Sequence, residues 1–96
     1  MPNNSLGFLY KLVPISAPLM RIWLNIPEFT TEMEVLIQSK KHITCEDVLV
    51  LMERICATYE TALKSNQPVP DYIWINSMRR GRNQLRRALN PDSIQE

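Results

Sequence analysis

The chain has 96 residues, a formal net charge of +1 and 45% apolar residues. A chain of this length has room for one hydrophobic core, so we expect a single domain over residues 1–96, with frayed ends at residues 1–4 and 91–96. The composition excludes wholesale disorder and a polycation, and no stretch reaches the roughly 18–20 apolar residues that a membrane-spanning helix requires.

All predicted elements are helices, because apolar residues recur at helical spacing and no strand-like alternation of any length is present. A short first helix is predicted over about residues 5–13, ended by Pro14. A second is predicted to begin at Ser16, a good N-cap residue, and to run to about Asn25.

The third predicted helix starts near Thr30 or Thr31. Thr31 and Glu34 have the spacing of a capping box, in which the two side chains satisfy backbone N–H groups at the helix start. The basic residues at 40–42 are expected to close this helix, at the end where cations are favoured.

The fourth and longest predicted helix runs from the N-cap Thr44 to about Ser65, with Asp47 completing an aspartate variant of the capping box. Apolar residues on it step by four and three, which is a heptad seam. The seam consists of Cys45, Val48, Met52, Ile55, Tyr59 and Ala62.

The fifth predicted helix runs from the N-cap Asp71 to Asn90, where Pro91 stops it, and it carries a seam with the same steps. That seam consists of Trp74, Met78, Gly81, Leu85 and Ala88. Two seams joined by a short proline-rich loop predict an antiparallel αα-hairpin at the C-terminal end of a small bundle of about four to five helices.

Gly81 lies within this second seam. Glycine in a helix interior costs about 1 kcal/mol relative to alanine. We therefore predict that a large ring or a backbone segment packs closely against Gly81, with a helix kink as the alternative.

Five arginines fall within nine residues of the fifth helix, and no acid occurs between residues 72 and 91. They are Arg79, Arg80, Arg82, Arg86 and Arg87. At about 100° per residue, Arg80 and Arg87 point away from the seam and the other three lie along one flank. Arginine favours bidentate contacts with carboxylate or phosphate, so the five are candidate partner-binding residues.

Internal ion pairing is the alternative for the three flank arginines. Glu46, Glu53 and Glu60 recur every seven residues on the fourth helix and form a stripe beside its seam. In an antiparallel hairpin this stripe can face the flank arginines.

The N-terminal quarter of the chain is rich in apolar residues. Most of them are expected to complete the core, but the first helix is apolar around much of its circumference and must be covered on most sides. We therefore predict a second interface at Phe8, Leu9, Leu12 and Trp23.

The two cysteines, Cys45 and Cys56, are separated by about 16 Å of axial rise on one helix, whereas a disulfide needs Cα atoms within about 7 Å. Together with the absence of a secretion signal at the N-terminus, this indicates a reducing, cytoplasmic setting.

Residue patterns that mark catalytic or metal chemistry are absent. His42 is the single histidine, and with Cys45 it supplies two of the four ligands of a tetrahedral zinc site. There is no phosphate-binding glycine loop and no pair of acids placed for acid–base work. We expect neither an enzyme nor a cofactor.

The sequence thus predicts a small interaction protein, an adaptor, modulator or inhibitor, that docks on an acidic surface of a larger protein. A nucleic-acid-binding or transcription-associated regulator using the same arginines is the alternative. A third hypothesis is a homodimer, in which the acidic region of one copy contacts the basic helix of the other.

Overall fold

The computed structural model describes residues 7–90, and this range forms five α-helices and no β-strand. In chain order they are α1 (Leu9–Leu12), α2 (Ala17–Trp23), α3 (Pro27–Ser39), α4 (Cys45–Lys64) and α5 (Tyr72–Leu89). The predicted all-α bundle is confirmed. The predictions made for residues 1–6 and 91–96, including the frayed ends, lie outside the described residues.

None of the helices between residues 7 and 90 is both long enough and apolar enough to cross a membrane.

The start predicted for α3 is wrong. The helix begins at Pro27, with Ile26 as its N-cap, so Thr31 and Glu34 lie inside the helix and form no capping box. Proline is well suited to the first helical position, because its fixed φ fits the helix and its missing N–H would be unsatisfied there anyway. Thr30 instead donates its hydroxyl to the Pro27 carbonyl at 3.1 Å. The helix ends at Ser39, before the basic residues.

The capping box predicted for α4 is confirmed. The Asp47 amide donates to the Thr44 hydroxyl at 3.2 Å, and the Thr44 amide donates to the Asp47 carboxylate at 2.9 Å. Lys40 also contacts this carboxylate, at 2.9 Å. The backbone hydrogen bond from Thr44, and then the hydrogen bond from Lys40, lower the pKa of Asp47 below its ordinary value.

This lowered pKa predicts a stability contribution that depends on pH. The contribution is present above the ordinary aspartate pKa of about 4 and is lost as the pH falls through the lower pKa of the folded protein. We expect Asp47→Asn to lower the free energy of unfolding by about 0.5–1 kcal/mol at neutral pH. Thermal unfolding scans should show the difference from wild type shrinking below about pH 4.

Glu46→Gln is the control for this experiment, because Glu46 lies in the same first turn but takes no part in the capping box. If both variants lost stability equally and with the same pH dependence, the capping box would not be the cause.

The predicted hairpin is formed by α4 and α5. On α4, Val48, Met52, Ile55 and Tyr59 are buried as the seam predicts.

On α5, Met78, Gly81 and Leu85 are buried, but Trp74 is half-buried and Ala88 is exposed. Ile75, which the seam leaves out, is buried instead. The buried face of α5 is rotated from a pure hairpin seam because α5 packs against α2 as well as α4.

The contact between α2 and α5 is centred on Trp23 and Gly81. Trp23 is completely buried, and its indole Nε1 donates to the Ser77 carbonyl at 3.1 Å. The indole ring lies directly on Gly81, so that a Cβ atom at this position would overlap the ring. The predicted close packing at Gly81 is therefore confirmed, and the packing partner is a ring.

Candidate partner-binding face

The five arginines of α5 divide into two groups. Arg79, Arg82 and Arg86 lie along the side of α5 that borders α4. Arg79 Nε is 3.3 Å from a carboxylate oxygen of Glu60, and Arg82 Nη1 is 3.9 Å from the same atom. These three side chains are partly buried between the two helices.

Arg86 continues this arrangement one heptad further on, with Nε 3.0 Å from a carboxylate oxygen of Glu53. The pairs Arg79–Glu60 and Arg86–Glu53 advance by seven residues in opposite directions, which is the register of an antiparallel hairpin. The ion pairs expected with Glu53 and Glu60 are present. Glu46, at the end of the same stripe, forms no ion pair with a residue between 7 and 90.

The ion pairs of the hairpin are partly exposed, so each stabilises the fold by about 0–1 kcal/mol. Their larger effect is on availability, because the three flank arginines already pair with two carboxylates of the same chain. They are therefore weaker candidates for an external partner than the other two.

Arg80 and Arg87 form the second group. Both side chains are exposed, and neither forms an ion pair or hydrogen bond with another residue in the described part of the chain. They are seven residues apart, which places them on one side of α5 about 10 Å from each other. The buried residues of α5 lie on the opposite side, so the packing of the helix holds both guanidinium groups toward solvent.

Two large apolar side chains share that side of the helix. Tyr72 is 62% exposed and Ile73 is 60% exposed, although both lie in the first turn of α5. Ile73 precedes Arg80 by seven residues, so it lies in line with the two unpaired arginines. We define the outer face of α5 as its exposed side, formed by Tyr72, Ile73, Asn76, Arg80, Asn83 and Arg87.

The outer face carries two positive charges, two side-chain amides and two large apolar groups, and it contains no acid. Tyrosine and arginine are enriched among the residues that dominate binding energy in protein interfaces. Sequence reasoning placed Arg80 and Arg87 on this side but did not select Tyr72 or Ile73. For Ile73 the signal was available, since it lies seven residues before Arg80.

The N-terminal segment presents less surface than the sequence predicts. Leu9 and Trp23 are completely buried in the core, so they are not accessible to a partner. Leu12 is half-buried, while Phe8 is 37% exposed and its neighbour Tyr10 is 49% exposed. What remains for a second interface is Phe8, with part of Leu12.

The cysteines are placed for packing. Both are free thiols, Cys56 being buried and Cys45 half-buried with its Sγ donating to the Leu12 carbonyl at 2.8 Å. Burial raises the pKa of both thiols, which keeps them protonated and unreactive. No cluster of three or more metal-ligating side chains occurs among residues 7–90.

Comparison of the chain with protein-family models, with curated proteins and with solved structures finds no match.

Proposed function

We propose that the chain is a small, non-enzymatic interaction protein that docks on an acidic surface of a larger protein through the outer face of α5. One observation carries the proposal. Two exposed arginines with no partner in the described part of the chain share a helix face with the exposed side chains of Tyr72 and Ile73.

The chemistry of this face defines the partner. A guanidinium group forms two parallel hydrogen bonds with a carboxylate, and it loses less hydration on binding than an ammonium group does. Tyr72 and Ile73 supply the apolar contact that gives such an interface most of its affinity. A matching surface presents an apolar depression with carboxylates about 10 and 20 Å away from it along one line.

A nucleic acid is the alternative partner, and the ion pairs of the hairpin weigh against it. Three of the five arginines pair with Glu53 or Glu60, which leaves Arg80 and Arg87 as the two arginines without an ion pair for phosphate contacts. Two phosphate contacts correspond to a salt dependence of only about −1.8 in log K against log salt on duplex DNA, the signature of weak binding.

Phe8 forms the second contact region of the proposed interaction protein. It is exposed, as is Tyr10, although Leu9 between them is completely buried. The two free thiols favour a reducing compartment, and we place the protein in the cytoplasm.

The test compares two double charge reversals. Arg80→Glu/Arg87→Glu inverts the outer face, and Arg21→Glu/Lys64→Glu makes the same change in net charge at exposed basic residues elsewhere. Each protein is immobilised, and captured proteins from its native cells are identified and then purified for affinity measurement. We expect a partner with an acidic surface that binds wild type and the Arg21→Glu/Lys64→Glu control alike, and binds the arginine variant Arg80→Glu/Arg87→Glu at least tenfold more weakly.

A second pair of measurements separates protein from nucleic acid. Tyr72→Ala/Ile73→Ala should also weaken the protein complex tenfold or more, with little change in its salt dependence. Fluorescence anisotropy with duplex DNA and single-stranded RNA runs in parallel. Tight nucleic-acid binding that is steeply salt-dependent and lost in the arginine variant would replace the proposed protein partner with a nucleic acid.

A further inference from the structure

A groove runs along the junction of α3 and α4, on the edge of α4 away from the α5 ion pairs. The two helices are antiparallel, and three side-chain contacts join α4 to α3 or to Lys40 directly after it. Glu28 accepts a hydrogen bond from the Tyr59 hydroxyl at 3.1 Å, Glu32 pairs with Arg54 at 3.5 Å, and Lys40 pairs with Asp47. Between these contacts lie two open depressions of about 470 and 290 Å³.

The two depressions meet at the Glu32–Arg54 pair, which contributes to the lining of both. The smaller one is flanked by Val35 on α3 and Val50 on α4, each 58% exposed. The larger one contains Glu28. Along α3, the groove therefore presents three successive levels: an apolar level at Val35, a charged pair at Glu32, and a carboxylate at Glu28.

The spacing of these levels matches the outer face of α5. From Val35, Glu32 is three residues away and Glu28 seven, which correspond to about 4.5 and 10.5 Å along the helix axis. From Ile73, Asn76 is three residues away and Arg80 seven. An apolar group, a polar group and a charged group thus follow each other at the same intervals on both surfaces, and the charges at the third level are opposite.

We propose that the groove binds the outer face of α5 of a second copy of this chain. The bound α5 runs antiparallel to α3, with Ile73 against Val35 and Val50. Asn76 then lies at the Glu32–Arg54 pair, where its amide can donate to the carboxylate and accept from the guanidinium. Arg80 lies at Glu28.

The hydrogen bonding and exposure of Glu28 suit an ion pair with Arg80 of the second copy. Its Oε1 accepts the Tyr59 hydroxyl, and the residue itself is exposed. Its second carboxylate oxygen accepts no hydrogen bond from another residue between 7 and 90, and is open to a guanidinium group. Burial, together with the charge of Glu28, raises the pKa of Tyr59, so this phenol remains a hydrogen-bond donor and holds the carboxylate in place.

The proposed contact joins two different surfaces of one chain. Such heterologous association closes into a ring where the rotation between copies allows it and otherwise continues as an open filament. The inference rests on the proposed function, because both treat the outer face of α5 as a protein-binding surface. A second copy and the larger partner would compete for Arg80. Self-association would therefore keep the outer face inaccessible until the larger partner displaces the second copy.

Sedimentation velocity over a wide range of protein concentration tests the contact. Wild type is expected to associate, and Arg80→Glu, Glu28→Arg and Val50→Asp are each expected to weaken association at least tenfold. The decisive variant is Arg80→Glu/Glu28→Arg, which exchanges the two charges and should restore association. Glu34→Arg is the matched control, since Glu34 is an exposed acid of α3 outside the groove. Circular dichroism verifies that each variant folds.

A wild-type protein that stays monomeric at every concentration would overturn this inference, and so would an exchange variant that fails to regain association. Neither result bears on the proposed larger partner, because its capture depends on Arg80 and Arg87 and not on Val50. Conversely, if capture fails while the exchange variant restores self-association, the larger partner alone would be rejected.

Discussion

Replacing Gly81 by alanine is expected to lower the free energy of unfolding by about 2–4 kcal/mol, against the direction of helix propensity. On propensity alone, alanine in a helix interior is more stable than glycine by about 1 kcal/mol. Here the added Cβ would overlap the Trp23 indole at Cζ2 and lie 2.7 Å from its Cη2 atom. Trp23 is completely buried, so the ring cannot move without displacing its neighbours.

Denaturant unfolding of wild type and Gly81→Ala measures this loss. For a domain of this size, each kcal/mol corresponds to about 4–8 °C in Tm, so thermal scans should show a fall of at least about 8 °C. Asn76→Ala is the control, because Asn76 is an exposed position of the same helix. It should change stability by less than about 0.5 kcal/mol.

A double-mutant cycle identifies the cause. The atoms that an alanine Cβ would meet belong to the six-membered part of the indole, and Trp23→Leu removes them. In the Trp23→Leu background, Gly81→Ala should therefore cost little or be stabilising. An undiminished cost in that background, or a stabilising effect in the wild-type background, would contradict the proposed contact.

Gly81 also shows how far the sequence predicts this fold. The heptad seam places it on the buried side of α5, and its helix cost predicts a close neighbour. Nothing local identifies that neighbour, because Trp23 is distant in sequence and belongs to a different helix. Periodicity predicts which face of a helix is covered, whereas the covering residue depends on tertiary packing.

The predicted start of α3 is wrong because two local signals for a helix start compete there. Thr31 and Glu34 have capping-box spacing, and Pro27 is a proline suited to the first helical position. In the structure, the helix begins at Pro27. Starting at Pro27 keeps Phe29 in the helix, where it is buried together with Met33 on the same side. The burial of Phe29 decides between signals that are equivalent in sequence.

The candidate binding face was partly predictable. Helical periodicity alone separated Arg80 and Arg87 from the flank arginines, and the seven-residue stripe of acids predicted the partners of the flank group. The exposure of Tyr72 and the burial of Leu9 were not predictable in the same way. Both are large apolar residues near a helix start, and only the packing of the other helices determines which one is covered.

Phe29→Ala is expected to cost about 3–5 kcal/mol, the largest effect of a single truncation that we predict. Phe29 is completely buried, and its ring packs at a tilt on Trp23, with centroids 5.2 Å apart and planes at 53°. Removing the ring leaves a cavity between α2 and α3 and withdraws an aromatic contact worth about 0.5–1.5 kcal/mol beyond the buried area. Since domains are stable by only about 5–15 kcal/mol, a large part of the stability would be lost.

Chemical denaturation of Phe29→Ala and Phe29→Leu provides the measurement. Leucine refills much of the space, so this variant should lose less than half as much stability as the alanine variant. The alanine variant should also couple to Gly81→Ala, because Phe29 and Gly81 both contact the Trp23 ring. The double variant should depart from additivity by at least about 0.5 kcal/mol. Strict additivity would mean that Trp23 does not transmit packing from α3 to α5.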